Sequence, residues 1–275
     1  MNSFTVWVGL GAALGLWRVA RSSPQRQAHV WVNAGLWVLF ASLAGARLFY
    51  AWINRAYFAD HLLEIPQVWL GGLSWPGAVG AAWLALSYLA ITYHPPRGGR
   101  VSIGWLGDRL YPLLPPLSVT AWMGGWMAGI AYGPPVPAGS WWGVPNLAES
   151  GVYALYWPLQ PLAALSLVAF FWLLETRVKP LQPSGQLSGL ATCGLLLNLL
   201  AASLLRSDPV PAWGGGLRMD TWMALFFLAC LLALAILSGL VTRFFPTPPY
   251  ASQTIRHLFT AEKNRIPPDE SSHQL

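Results

Sequence analysis

Charge is what this 275-residue sequence most lacks: only 9% of its residues are Asp, Glu, Lys or Arg, against 55% that are hydrophobic. A soluble domain carries about 25% charged residues, so a chain of this size cannot clothe its whole exterior for water. Cysteine is scarce as well. Cys193 and Cys230 both fall inside apolar runs, which argues against a disulfide framework and for buried, unreactive thiols. No His, Cys and carboxylate set has metal-ligand spacing, so no metal is expected. The formal charge of +6 comes without a run of Lys and Arg, which sets nucleic acid aside as a partner. No histidine sits in the middle of an apolar run, which leaves a serine nucleophile without a base. A long internal repeat, the mark of many transporters, is absent too. Paired charges within the apolar runs also go unseen, and this further disfavours a transporter.

What is present is a succession of apolar runs, near residues 4–20, 29–52, 68–92, 110–131, 151–175, 187–205 and 219–243. Each is long enough to cross a bilayer as a helix. The pattern predicts an all-α integral membrane protein of about seven transmembrane helices occupying residues 1–244. Residues 53–67 read as an interfacial arm, because Arg55, Asp60, His61 and Glu64 lie there among aromatics. Residues 132–150, rich in Gly, Pro and Trp, read as a small extracytoplasmic cap. Residues 245–275 read as a largely flexible cytoplasmic tail, with one short interfacial helix around Gln253–Glu262. The first run has no basic residue before it and Arg18, Arg21 and Arg26 after it, the reverse of a cleaved signal peptide. Placing the N-terminus outside leaves Arg47, Arg55, Arg206 and Arg218 on the outer side, and the other twelve of the sixteen Lys and Arg inside. The positive-inside rule then puts the C-terminus in the cytoplasm.

Polar groups at membrane depth are functional candidates by default. Arg47, late in the second run, reads either as snorkelling to the interface or as a buried cation for an anionic lipid headgroup. The segment Gly71 to Gly77, GGLSWPG, cannot begin a regular helix, and irregular backbone at depth requires cover by protein or a polar cavity. It therefore reads as a turn lining a cavity. Ser74 within it, and Gln160 further on, read as helix–helix hydrogen-bonding groups or as headgroup contacts.

Taken in order, these fragments resemble the prolipoprotein diacylglyceryl transferase family. The match rests on Gly45, Arg47, Leu48, Tyr50, Leu63, Glu64, Ile65, Trp69, Gly71, Gly72, Ser74 and Gly77. It continues through Trp7 and Gly9, then LYPLLPPL with Gly124, Gly129, Tyr132 and Gly133, then Pro158 and Gln160, then Arg206 and GLRMDTW. The resemblance implies a bacterial plasma-membrane protein and transfer of diacylglyceryl from phosphatidylglycerol to the lipobox cysteine of prolipoproteins. It implies no cofactor, since the reaction is a substitution. Implied partners are phosphatidylglycerol and prolipoprotein signal peptides. Implied headgroup residues are Arg47, Arg206, Ser74 and Gln160, with Gly71, Gly72, Gly77, Gly124 and Gly129 shaping the cavity turns.

The ionisable side chains of the family pattern are mostly replaced. Its histidine is Pro76 and its signature arginine is Trp122. Its two asparagines are Gly125 and Ala128, and its glutamate is Ile130. The tyrosine of the first span is Val8, Trp157, Leu162 and Ala163 replace a His, a Tyr and a Glu, and Leu199 and Ser203 stand where Arg and Glu are expected. The thiol must lose its proton and the departing phosphate needs fixed positive charge. Losing both aids would cost roughly 5–9 kcal/mol if the contributions added. The sequence thus leaves three readings: a divergent active transferase, a non-catalytic phosphatidylglycerol- or lipoprotein-binding relative, and a transporter.

Overall fold

A computed structural model describes residues 3–93, 101–147, 153–178, 185–208 and 212–244. It divides into two units, residues 1–228 and 229–275. The first holds everything discussed below; in the second, the described part is helix through Phe244. The expected tail and its short interfacial helix lie outside the described residues.

The protein is all-α and integral to the membrane. Among the described residues, six helical segments are long and apolar enough to cross a bilayer: Ser3–Ser22, Gln25–Ile53, Trp75–Thr92, Leu159–Arg177, Gln186–Leu205 and Met219–Leu237. In chain order the helices are α1 (Ser3–Ser22), α2 (Ala28–Ile53), α3 (Arg55–Asp60), α4 (Trp75–Thr92), α5 (Ile103–Leu110), α6 (Leu114–Met127), α7 (Leu159–Leu173), α8 (Gln186–Leu205) and α9 (Met219–Phe244).

Three of the expected runs are corrected. The fourth, 110–131, is not one continuous span. It belongs to a broken rod of α5, a 3-10 turn at Tyr111–Leu113, and α6. Pro112, Pro115 and Pro116 each lack an N–H and tolerate only the start of a helix, so the axis restarts there. The fifth begins at Leu159 rather than 151, because Tyr153–Tyr156 is a strand. That strand, β2, pairs antiparallel with β1 (Val144–Leu147), so the region read as a cap carries a sheet. The third begins at Trp75; Val68–Leu70 is a single 3-10 turn. A second small pair, β3 (Ala212–Trp213) and β4 (Leu217–Arg218), precedes α9.

In lipid, helices gain little from hiding apolar surface from one another, so close backbone approach matters more. Gly45 of α2 and Gly77 of α4 supply it: a Cβ on Gly45 would lie 2.5 Å from the Gly77 carbonyl oxygen. Gly124 in α6 is pressed against Phe4 and Trp7 of α1. Gly77 and Gly124 are therefore helix-crossing residues, not parts of a turn as the motifs suggested. Two apolar clusters complete the packing. One joins Trp122, Leu167, Phe171, Ala191 and Leu195 across α6, α7 and α8. The other joins Val19, Trp31, Leu106 and Leu110 across α1, α2 and α5. Asp108 of α5 caps α8 from outside, accepting from the backbone N–H of Gly185 and, at 2.8 Å, of Ser188. Both donors are left free by the start of that helix.

Candidate functional site

Between α2 and α4 the chain makes the arm: α3, a turn at Leu62–Glu64, another at Val68–Leu70, then extended backbone through Ser74. Such a stretch leaves carbonyls that no helix satisfies. Arg47, only 5% exposed, reaches into it from α2. Its Nε donates to Ile65 O at 2.8 Å, its Nη2 to Glu64 O at 2.6 Å, and its Nη1 to the carbonyls of Gly71 and, at 3.2 Å, Gly72. The guanidinium also lies over the rings of Tyr50 and Phe58. Gly71 and Gly72 have φ of 90° and 71°, and a Cβ on Gly72 would fall 2.4 Å from the Tyr50 ring. Only glycine fits that bend.

Two consequences follow for Arg47. Its guanidinium is withdrawn from the surface, and it is the hub that satisfies the carbonyls of an irregular backbone. Carbonyl dipoles steady its charge without cancelling it, and among the described residues no carboxylate pairs with it. Glu64, whose backbone carbonyl Arg47 holds, turns its carboxylate instead to the Tyr57 hydroxyl at 2.9 Å. Accepting that bond, Glu64 holds the exposed phenol above its ordinary range. Ser74 stands at the N-cap of α4, its N–H bonded to Ala46 O at 3.1 Å, beside Arg47 in the chain of α2.

The next residue, Trp75, links this arm to a second charged group. Its indole N–H donates to Asp220 Oδ1 at 3.1 Å, and Asp220 Oδ2 accepts from Arg206 Nη1 at 3.1 Å. Arg206 also forks onto Asp208, Nε to Oδ1 at 2.8 Å and Nη2 to Oδ2 at 2.5 Å. Arg218 Nη2 reaches Asp208 Oδ1 at 3.2 Å, and its Nη1 the Asp208 carbonyl at 2.8 Å. Two arginines and two aspartates thus sum to zero. Burial alone would raise the Asp208 carboxyl, but Arg206, and then Arg218, hold it below the usual carboxylate range. Arg206, Asp208 and Arg218 lie between two apolar runs, but the ion pair Arg18–Glu175 joins the runs 4–20 and 151–175 and corrects the expectation that charges within the runs go unpaired. Asp208 drew no attention in the sequence; its place two residues after Arg206 was the available signal.

Gln160 is 3% exposed and stands apart from these groups. Its Nε2 donates to Ile130 O at 2.7 Å, while Asn146 Nδ2 donates to Gly129 O at 2.9 Å, so both amides tie down the end of α6. The cleft they line with Tyr132 and Trp157 holds about 50 Å³. A ligand pocket is usually about 300 Å³ or more.

The positions where ionisable groups were expected are neutral and internally satisfied. Trp122 donates from Nε1 to Asn198 Oδ1 at 2.9 Å, and Asn198 Nδ2 in turn donates to Ala163 O and Ser166 Oγ. Ser203 bonds Thr221, hydroxyl to hydroxyl, at 2.9 Å in a buried pair. Pro76 is buried in the first turn of α4. Among the described residues, no three His, Cys, Asp or Glu gather as metal ligands would.

Comparison with known proteins agrees with the motif order. The sequence model of the prolipoprotein diacylglyceryl transferase family matches residues 1–237. The chain is similar to a phosphatidylglycerol–prolipoprotein diacylglyceryl transferase of Thermosynechococcus vestitus, 27% identical over 227 residues, covering 79% of this chain and 78% of that protein. A protein of the same name from Bacillus licheniformis is 31% identical over 91 residues, 32% of this chain and 34% of its own. One from Geobacillus kaustophilus is 32% identical over 78 residues, 28% and 29% respectively.

Proposed function

We propose, on the premise that this chain belongs to the prolipoprotein diacylglyceryl transferase family, that it holds phosphatidylglycerol in the bacterial plasma membrane without completing the transfer. The N-terminus is outside, and the headgroup lies at the outer face, by Arg47 and Ser74, with Arg206 behind Trp75. The single observation that carries this reading is the fate of the expected catalytic positions. Trp122, Ser203 and Pro76 bear no ionisable group, and the first two are engaged in internal hydrogen bonds. A thiol has no proton acceptor there. Arg47 supports the binding half of the reading, because its charge stays uncancelled and can attract a phosphate. Gln160 supports the site at one remove, by fixing the end of α6.

A second reading, an active transferase, is favoured by Arg206, Asp208, Arg218 and Asp220. That group contains both a cation for a departing phosphate and a carboxylate for a proton. Expression in cells depleted of their own transferase separates the two. The binding reading expects phosphatidylglycerol to co-purify and a lipobox substrate to stay unmodified. Lipidation of that substrate, abolished by Arg206→Ala, would instead establish the second.

A further inference from the structure

We propose that Asp208 is a built-in occupant of a two-arginine site for a phosphate ester, and that it competes with the ligand for the same guanidinium groups. The inference rests on the headgroup reading and adds a second contact surface to it.

The geometry of the cluster supplies the reasons. Arg206 offers Nε and Nη2 side by side to the two oxygens of Asp208, at 2.8 and 2.5 Å. That parallel fork is the arrangement by which arginine takes either a carboxylate or a phosphate. Arg218 approaches the same carboxylate from β4. Its Nε is buried and, among the described residues, has no acceptor, although Nη1 and Nη2 each donate to Asp208. A planar carboxylate has two oxygens to share between two forks, and both are taken. A tetrahedral phosphate projects its oxygens in more directions and can serve the unpaired donor as well. An orphaned buried N–H is costly, so the site is better matched by the larger anion than by Asp208.

Arg206 keeps a partner when Asp208 withdraws, whereas Arg218, bonded to the Asp208 carboxylate and carbonyl, is freed for the incoming anion. Asp220 keeps Arg206 Nη1 and is itself held by the Trp75 indole. Asp208, by contrast, belongs to the connection after α8 and not to a helix. Charge decides the competition. With Asp208 seated the four side chains sum to zero and offer an anion nothing; with Asp208 displaced they sum to +1. Phosphate ester and carboxylate are therefore alternatives.

Two sources share this chemistry, the headgroup of phosphatidylglycerol and a soluble glycerol phosphate. The full chain is purified in detergent as wild type, Asp208→Asn, Asp208→Ser, Arg218→Lys and Asp208→Asn/Arg218→Lys. Folding is checked by thermal unfolding, and a folded protein from either Asp208 variant suffices. Each is titrated with phosphatidylglycerol, sn-glycerol 1-phosphate and, as control, phosphatidylcholine. Removing the competitor raises apparent phosphatidylglycerol affinity about tenfold, as expected when a site is freed from a state that kept it about nine-tenths closed. In the Asp208→Asn background Arg218→Lys, which lacks the Nε donor, reverses most of that gain. The proposal is overturned if the Asp208 variants bind phosphatidylglycerol no better than wild type, or gain equally for phosphatidylcholine. A gain for sn-glycerol 1-phosphate alone keeps the site and removes the lipid reading. Loss of phosphatidylglycerol in Arg47→Ala, with no gain in Asp208→Asn, keeps the lipid reading and removes this one.

Discussion

Arg47 and Arg206 solve the same problem in opposite ways. Both are guanidiniums largely withdrawn from water at one end of the helices, and both make four hydrogen bonds or fewer to fixed partners. Arg47 is held by backbone carbonyls of the arm, Arg206 by the carboxylates of Asp208 and Asp220. Carbonyl dipoles stabilise a cation while leaving its net charge, so Arg47 still projects a positive field. Carboxylates remove the net charge, so the Arg206 group is silent unless an acid moves. The chain thus presents one open cation and one closed one.

The sharpest way to break the contrast is Arg47→Ala. It strands the carbonyls of Glu64, Ile65, Gly71 and Gly72, and a loss on the order of 3–5 kcal/mol is expected, read as a large fall in thermal stability in detergent. Arg47→Lys keeps the charge without the fork and falls between. Gly72→Ala tests the same region from the backbone side. The added methyl meets both positive φ and the Tyr50 ring, costing about 1–3 kcal/mol. Asp208→Asn probes the other region through pH. Because Asp208 is held below its ordinary value of 3.8, the stability it contributes is complete at neutral pH. That contribution begins to fade below about pH 4 and is lost as pH drops through the folded value. The stability gap between wild type and Asp208→Asn should therefore be widest near pH 7 and narrow on acidification; a gap that widens would refute the assignment. Trp75→Phe cuts the link between the regions by one hydrogen bond, for about 1 kcal/mol read in thermal unfolding, and should leave the arm unchanged.

The ionisable groups missing from the catalytic motifs could be read as missing, but not what had replaced them. Asn198, which receives the Trp122 indole, lies in a stretch of leucines with nothing to mark it. The broken fourth rod was written in its prolines, yet apolar length outweighed them in the reading, since periodicity is blind to a change of helix axis. The strands β1 and β2 were hidden for a similar reason: Tyr153–Tyr156 is apolar and merges with the helix that follows.

The sequence by itself determined the solvent and the lineage. Charge scarcity with repeated apolar runs permits only a membrane interior, and the ordered glycines, Arg47 and Gln160 carry the family pattern because packing demands those shapes. Only the tertiary structure decided the state of each charge. Whether a guanidinium is open or cancelled depends on which groups from distant parts of the chain converge on it, and Asp220 meets Trp75 across 145 positions of sequence. No local pattern encodes that distance.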